Sequence, residues 1–439
     1  MLPTFGDKLH ACLISTYVAI AGIYWLPGIN ANLIAQAKIA LFGTLVIIGL
    51  ARFRISHRQQ SNLYFLMGLC AAAALTTNII NENAEVAIGR ARDFIEPLLW
   101  LIALFALPHR AFPFLLRALT WAMAIFLCLA MYPVFAYAGL LPDFPVPPQF
   151  FEGGPYWLIE SSMVSNSGFS ASRTGWGAVL APAALLAAVL FLKSPKPSKL
   201  LIATTGVLLI GALASMIVTG GRGGPLALVA AVAYGLATTG GLRASNIVLL
   251  AAITGVFLFS GAMAFIPDLF FRNTDAGGSL FDKLNALSTG RLASFVAAFD
   301  RWQEAPIEGV GVENARVWLD NYGIVAVHNV WLRFLAESGL LLFVPLSLVT
   351  LELVRLSLNK VDANIPRASL VIICGLVLGL LEPSVVFGSF NANAPIWTSV
   401  WIMLFTAKKR VRRFGGYSGA FGHASATRLG RFETHAGPH

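Results

Sequence analysis

His328 follows the longest polar segment of the sequence and precedes a long apolar run, so it lies where a helix is predicted to begin. The positive end of the helix dipole disfavours a charged imidazolium at that position. A neutral imidazole at physiological pH is suited to act as a general base. The structural alternative is a histidine that caps the helix or bonds a loop carbonyl.

Two arginines lie in settings that suit an anionic ligand. Arg222 has two glycines on each side within Thr219–Pro225, which lets backbone N–H groups approach a ligand closely. Arg291 lies in the first turn of a predicted amphipathic helix, where a bound phosphate would remove the unfavourable interaction with the dipole. Guanidinium groups match phosphate oxygens, so the pair predicts a phosphate or diphosphate ligand. A tight interhelical turn and a solvated helix start are the respective alternatives.

Six further residues are weaker candidates for binding the diphosphate or an attached glycan: Arg90, Arg92, Arg173, Asn329, Lys38 and Trp302. The first two fall in a predicted short outer loop, where ion pairs with Glu82, Glu85 or Asp93 are equally expected. Arg173 is also suited to anchor a helix at the membrane surface.

Several kinds of catalytic site are absent from the sequence. The four cysteines lie inside apolar runs without metal-ligand spacing, and no Walker motif or Gly-x-Ser-x-Gly elbow occurs. Pairs of the Asp-x-Asp type, which would hold a metal for sugar–diphosphate chemistry, are also missing from the predicted outer segments. We therefore expect no metal and no cofactor, and the residues fit a metal-free transfer from a diphosphate leaving group.

The elements that position these residues are predicted to be membrane helices. Apolar residues make up 57% of the chain and charged residues 12%, a balance that excludes an ordinary soluble globule. We predict an all-α polytopic membrane protein whose roughly twelve spans lie near residues 11–27, 33–51, 62–80, 94–107, 113–139, 174–192, 200–218, 225–240, 245–266, 329–356, 367–387 and 393–407.

The charge distribution predicts the orientation of the chain. With both termini in the cytoplasm, 20 of the 31 lysines and arginines lie on the inner side. This explains the net charge of +10 without a nucleic-acid partner. Residues 1–407 form the predicted membrane domain, 267–327 a large outer loop with its own helices, and 408–439 a basic, disordered cytoplasmic tail that contacts membrane lipid. A short helix is also predicted near 313–322.

The order of these motifs resembles a known family over about residues 170–345. A Gly-flanked arginine, Arg222, precedes a large outer loop that contains Gly290-Arg291, Trp302, Pro306 and Gly309-Val310-Gly311. His328-Asn329 then precedes a helix with Glu337-Ser338-Gly339-Leu340. This arrangement resembles the O-antigen ligase and O-antigen polymerase superfamily of bacterial inner membranes.

The resemblance implies a GT-C-like glycosyltransferase in which undecaprenyl diphosphate carries the glycan donor. An O-antigen ligase moves that glycan to a sugar hydroxyl of lipid A-core at the periplasmic face, without metal and with inversion. Carried over by position, His328 resembles the general base. Arg222 and Arg291 resemble the arginines that hold the departing diphosphate.

Other functions remain compatible with the sequence. An O-antigen polymerase and a protein O-oligosaccharyltransferase would use the same donor with another acceptor. A flippase or transporter of lipid-linked glycans is the alternative from a different class, although no internal repeat of the kind common in transporters is evident. The sequence leaves the oligomeric state open.

Overall fold

The computed structural model describes residues 2–24, 26, 29–52, 58–142, 173–192, 198–219, 223–239, 279, 285, 291–315, 317–319, 323–325, 327–358, 367–388 and 390–406. Most of these residues are helical, as the predicted all-α class requires. The helices are α1 (Phe5–Ala21), α2 (Ala31–Arg52), α3 (Arg58–Asn81), α4 (Ala84–Phe105), α5 (Phe112–Ala130), α6 (Tyr132–Tyr137), α7 (Arg173–Phe191), α8 (Lys199–Val218), α9 (Gly223–Thr239), α10 (Arg291–Glu304), α11 (Val330–Leu358), α12 (Ala368–Gly379) and α13 (390–406).

Within the described parts of the chain, five helical segments are long and apolar enough to cross a membrane: Ala31–Arg52, Ser61–Asn81, His109–Ala136, Lys199–Val218 and Val330–Leu358. All five coincide with predicted spans, which supports a multi-pass membrane protein. The predicted span at 245–266, most of the outer loop's first half and the tail at 408–439 lie outside the described residues. The count of twelve spans therefore stays a prediction.

Helix α4 begins earlier than the sequence predicted. It starts at Ala84 rather than near residue 94, because Asn83 caps it by accepting a hydrogen bond from the Val86 N–H at 3.0 Å. Arg90 and Arg92 therefore lie on a helix, and their assignment to a short loop was wrong.

The segment after α12 is a turn, whereas the sequence predicted a span as far as residue 387. The helix ends at Gly379, and Pro383 lacks the N–H that a continuing helix would need. Val386 has a positive φ of 69°, which a helix cannot contain. Residues 380–388, called here the outer turn, thus reverse the chain between α12 and α13.

The short helix predicted near 313–322 was also wrong. Strands β1 (Val317–Leu319) and β2 (Gly323–Val325) pair antiparallel there, with Trp318 opposite Ile324. The β-branched residues of these two strands favour the pleated conformation over a helix.

Helix α11 is broken at Gly339, whose φ of 59° and ψ of −159° are accessible to glycine alone. The break leaves backbone groups without helical partners, and residues 306–311 insert there. Four hydrogen bonds of 2.9 to 3.1 Å join the two segments: Val310 and Gly311 donate to the carbonyls of Ala336 and Glu337, and Leu340 and Leu341 donate to those of Pro306 and Ile307. The insertion ties the outer loop to α11.

Helix α3 holds the inserted segment from its other side. The Asn81 side chain donates to the carbonyls of Glu308 and Gly309 at 3.2 and 2.9 Å. The Glu82 carboxylate accepts from the Glu313 N–H at 2.8 Å. The C-terminal end of α3 and the N-terminal part of α11 therefore lie at the same end of the helix bundle.

Charged groups at the start of α1 mark a second end of the bundle. Asp7 is buried and accepts a hydrogen bond from Arg110 at 2.9 Å, while Arg52, at the end of α2, lies 3.8 Å from it. Between the two ends the core is apolar and aromatic, with Trp100 against Tyr17 and Phe390 at ring separations of 5.1 and 5.6 Å. These ion pairs therefore lie at the two ends of the described part of the bundle, with the aromatic core between them.

Candidate active site

The N-terminus of α11 fixes His328. Asn329 accepts hydrogen bonds from the N–H groups of Trp331 and Leu332, both at 3.0 Å, and so caps the helix. The helix begins at Val330, two residues after the histidine. The His328 side chain is 27% exposed, yet its Nδ1 atom is buried and makes no hydrogen bond among the described residues. Asn329 therefore has a capping role, whatever it contributes to ligand binding.

Arg291 is the first residue of α10, as its predicted first-turn position requires. The buried Ser294 hydroxyl donates to the Arg291 carbonyl at 2.7 Å, and the Asn285 side chain accepts from the Ala293 N–H at 2.9 Å. The side chain of Ala298 packs against α11 in a small apolar cluster with Ala336. These contacts fix the helix start, so the guanidinium projects from a supported position.

Glu382, in the outer turn, joins Arg291 to His328. One carboxylate oxygen, Oε1, lies 3.1 Å from an Arg291 Nη atom, and the other, Oε2, lies 3.8 Å from His328 Nδ1. The Glu382 side chain is only 6% exposed. We call Arg291, His328 and Glu382 the His–Glu–Arg cluster; it brings together a guanidinium, an imidazole and a carboxylate from three separate segments of the chain.

The start of α9 borders the same cluster. A Cβ atom added to Gly223 would lie 3.5 Å from Glu382 Oε1, so the backbone there is close to the carboxylate. Arg222 immediately precedes Gly223 but lies outside the described residues. Arg173 is the first residue of α7, and its side chain is likewise not described.

A second group of charges surrounds Glu337 on α11. Its carboxylate lies 3.0 Å from Arg90 and 2.8 Å from Arg333. Arg90 also lies 3.5 Å from Asp93 on the same helix. Arg333 donates to the Pro383 carbonyl at 2.7 Å, so this second group is attached to the outer turn directly beside Glu382.

A cavity of about 400 Å³ opens beside this group. The residues that line it include Arg90, Arg92, Asp93, Arg333, Ser384 and Gly388. Its volume lies within the range of small-molecule sites. Guanidinium donors, a carboxylate and a hydroxyl together can bind a polyhydroxylated or anionic ligand.

The remaining candidates are placed elsewhere. The Lys38 ammonium is buried and donates to the carbonyls of Ala21 and Ile23 at 3.3 and 3.0 Å, which satisfies the C-terminal end of α1. The Trp302 indole donates to the Pro306 carbonyl at 3.1 Å and closes the turn after α10. Both contacts are structural, and neither joins the His–Glu–Arg cluster.

Sequence reasoning missed the parts played by two acids. Glu382 is not among the site residues predicted from the sequence, and Glu337 appears there only as part of a motif. Each is a carboxylate near the end of an apolar segment, which is a signal for a functional or paired charge. Nothing in the spacing indicates that Glu382 meets Arg291, 91 residues away.

Comparison with known families adds a separate line of evidence. Residues 206–347 match a family model described as O-antigen ligase. This match confirms the resemblance predicted from the motif order, and it includes Arg222, Arg291, His328 and Glu337. Arg90 and Glu382 lie outside the matched range. No match was found among curated proteins.

Proposed function

We propose that the protein, whose residues 206–347 match a family model described as O-antigen ligase, is a glycosyltransferase of the bacterial inner membrane that acts in lipopolysaccharide biosynthesis. It transfers O-antigen from undecaprenyl diphosphate to a sugar hydroxyl of lipid A-core at the periplasmic face. The observation that carries this proposal is the His–Glu–Arg cluster, which puts a potential base beside an anion-binding guanidinium at one end of the apolar helices.

The proposed reaction is a single displacement at the anomeric carbon. His328 accepts the proton of the acceptor hydroxyl while the hydroxyl oxygen forms the new glycosidic bond. The bond between the anomeric carbon and the diphosphate oxygen breaks, and the configuration inverts. Arg291 and Arg222 stabilise the negative charge that develops on the leaving diphosphate, which is the larger contribution expected in such chemistry.

The outside of the helix bundle suits a lipid-linked donor. Large apolar side chains face outward, with 72% of Ile39 and 71% of Trp121 exposed. Such surface is favourable in a lipid bilayer and costly in water. A polyprenyl chain in the membrane can therefore reach the ends of the helices, where the cluster meets the polar phase.

The cavity beside Glu337 is the proposed glycan site. Arg90 and Arg92 offer donors to sugar oxygens or to an acidic sugar, and Asp93 accepts from hydroxyl groups. The hydrogen bond from Arg333, which lines the cavity, to the Pro383 carbonyl supports this assignment, because Pro383 directly follows Glu382 of the His–Glu–Arg cluster. Four residues remain lower-ranking candidates for contact with the ligand: Arg173, Asn329, Lys38 and Trp302. A change in substrate affinity when one of them is substituted would support that role.

The experiment that tests the proposal is an in vitro transfer assay with two acceptors. Purified protein receives undecaprenyl-diphosphate glycan and either lipid A-core or a second lipid-linked glycan, with His328→Ala as the control. Product on lipid A-core supports a ligase, whereas growth of the chain on the lipid carrier identifies an O-antigen polymerase. Glycan on an added protein acceptor identifies a protein O-oligosaccharyltransferase.

Two further outcomes would change the proposed chemistry. Failure with every acceptor, in a preparation that binds donor, would favour a flippase or transporter of lipid-linked glycans. We expect full turnover in excess chelator. Loss of turnover that one divalent ion restores would refute the metal-free displacement.

A further inference from the structure

We propose that Glu382 is a positioning residue that orients His328 for proton transfer and is released to do so when the donor diphosphate binds Arg291. The inference rests on the proposed transferase function and extends it to a residue outside the matched family domain. It assigns a use to a buried carboxylate that the displacement itself does not require.

Among the described residues, the two oxygens of the Glu382 carboxylate have unequal contacts. A buried carboxylate is strongly disfavoured unless charged or hydrogen-bonded partners surround it. Glu382 has Arg291 on Oε1 at 3.1 Å, whereas Oε2 lies 3.8 Å from His328 Nδ1, beyond hydrogen-bond distance. His328 Nδ1 is itself buried without a hydrogen bond in the described part of the chain. A shift of less than 1 Å would join these two atoms.

Side chains of α13 fix the backbone of the outer turn that carries the Glu382 carboxylate. The buried Asn393 side chain accepts from the Val386 N–H at 2.8 Å and donates to the Ser384 carbonyl at 2.9 Å. The Trp397 indole donates to the Val386 carbonyl at 3.0 Å. This support maintains the positive φ of Val386, a conformation that costs free energy and persists only where its surroundings enforce it.

A bound diphosphate would compete with the Glu382 carboxylate for Arg291. A guanidinium binds a diphosphate through the same N–H groups that bind a carboxylate. Donor binding would therefore weaken the contact between Arg291 and Glu382. The carboxylate would then accept a hydrogen bond from His328 Nδ1–H, which leaves the lone pair of Nε2 available to the acceptor hydroxyl. The proton moves from that hydroxyl to Nε2, and the Glu382 carboxylate stabilises the resulting imidazolium.

The test uses Glu382→Gln, which removes the charge at nearly constant size. We expect kcat to fall about 10- to 100-fold, by analogy with the loss of a hydrogen-bonding partner of a metal-ligating histidine. We expect the KM for donor to stay equal or fall, because Arg291 no longer exchanges a carboxylate for the diphosphate. Glu382→Asp should recover part of kcat, since it restores the charge with a shorter reach.

The matched control is Glu352→Gln, which removes the carboxylate that pairs with Arg355 later in α11. It should leave kcat and KM unchanged. If Glu382→Gln does not fold, the decision falls to Glu382→Asp in protein shown to be folded by its unfolding temperature. An unchanged kcat in a folded Glu382 variant would overturn the proposal, as would a higher donor KM with normal kcat.

The same transfer assay distinguishes failure of the positioning role from failure of the proposed function. Wild-type transfer that is abolished in His328→Ala, with normal kcat in the Glu382 variants, refutes the positioning role alone. Absence of transfer by wild-type protein on every acceptor, or full activity of His328→Ala, refutes the proposed chemistry first and the positioning role with it.

Discussion

The break in α11 leads to a prediction that depends on geometry alone. A Cβ added to Gly339 would lie 2.3 Å from the Ile307 carbonyl oxygen and 2.6 Å from the Gly309 nitrogen. Both contacts are to backbone, so no side chain can rotate away, and residues 306–311 must leave the break. Gly339→Ala should therefore disrupt the insertion that joins the outer loop to α11.

The magnitude follows from the bonds that the insertion makes. Four backbone hydrogen bonds would be lost, each with a net value of about 1 kcal/mol, for a total of about 4 kcal/mol. If the segment were retained instead, an alanine at φ 59° and ψ −159° would cost about 1 to 3 kcal/mol in backbone strain in addition to the clash. Either loss is a large part of the net stability of about 5 to 15 kcal/mol that is typical of folded proteins.

The assay is thermal unfolding of detergent-purified protein, followed by the transfer reaction. Gly68→Ala is the matched control, because a Cβ there meets nothing within 4 Å and Gly68 lies inside α3. Alanine in a helix should be neutral or stabilising by up to about 1 kcal/mol. We expect Gly339→Ala to unfold at a clearly lower temperature and to lose transfer, since the break positions Glu337 and the start of α11. Equal unfolding temperatures for the two variants would refute this reasoning.

Three further predictions concern the sites. His328→Ala should abolish transfer while donor binding stays intact. Arg291→Ala should weaken donor binding by roughly 1.5 to 3 kcal/mol, because a charge-assisted hydrogen bond is lost. Direct measurements of donor binding by both variants distinguish the two effects. Arg92→Gln should reduce glycan affinity but change the free energy of unfolding by less than about 1 kcal/mol, because the Arg92 side chain is 65% exposed and pairs with Glu96 at 3.3 Å. Equal glycan affinity in the variant and the wild-type protein would show that Arg92 does not bind the glycan. Asn329→Ala should destabilise the start of α11 by about 1 kcal/mol through loss of the cap, and Asn329→Ser should retain most of the wild-type stability in an unfolding assay. Loss of donor affinity without loss of stability would instead indicate that Asn329 contacts the ligand.

Membrane helices were the most predictable part of the fold because hydropathy over about twenty residues is a strong signal. Helix α10 was also predictable, since its apolar residues recur at helical spacing and Pro306 follows its end. The start of α4 was not, because its polar first turns resemble a loop when only hydropathy is considered. The break at Gly339 depends on residues 306–311, and such a long-range insertion leaves no periodic signal in either segment.

The residues of the candidate site also differ in how far the sequence predicts them. His328 and Arg291 stand out because each lies at a predicted helix start, where an imidazole can act as a base and a guanidinium can bind an anion. The local signal of Glu382, a carboxylate near the end of an apolar segment, does not identify its partners, which are brought to it by a turn that Asn393 stabilises and by an arginine in a distant helix. Contacts of this kind require the fold, and residue types and spacing cannot supply them.

The outer turn also explains why two groups of charges can act together. Glu382 contacts the His–Glu–Arg cluster, and the carbonyl of the next residue, Pro383, accepts from Arg333 in the group around Glu337. A glycan that draws Arg333 towards the cavity would therefore pull on the residue adjacent to the carboxylate beside His328. Because Pro383 is bonded directly to Glu382, a displacement of the Pro383 carbonyl would shift the backbone that carries the carboxylate. Occupation of the cavity should then alter kcat as well as glycan affinity, so a glycan fragment without a reactive hydroxyl should change the turnover of a short acceptor in wild-type protein but not in Arg333→Lys.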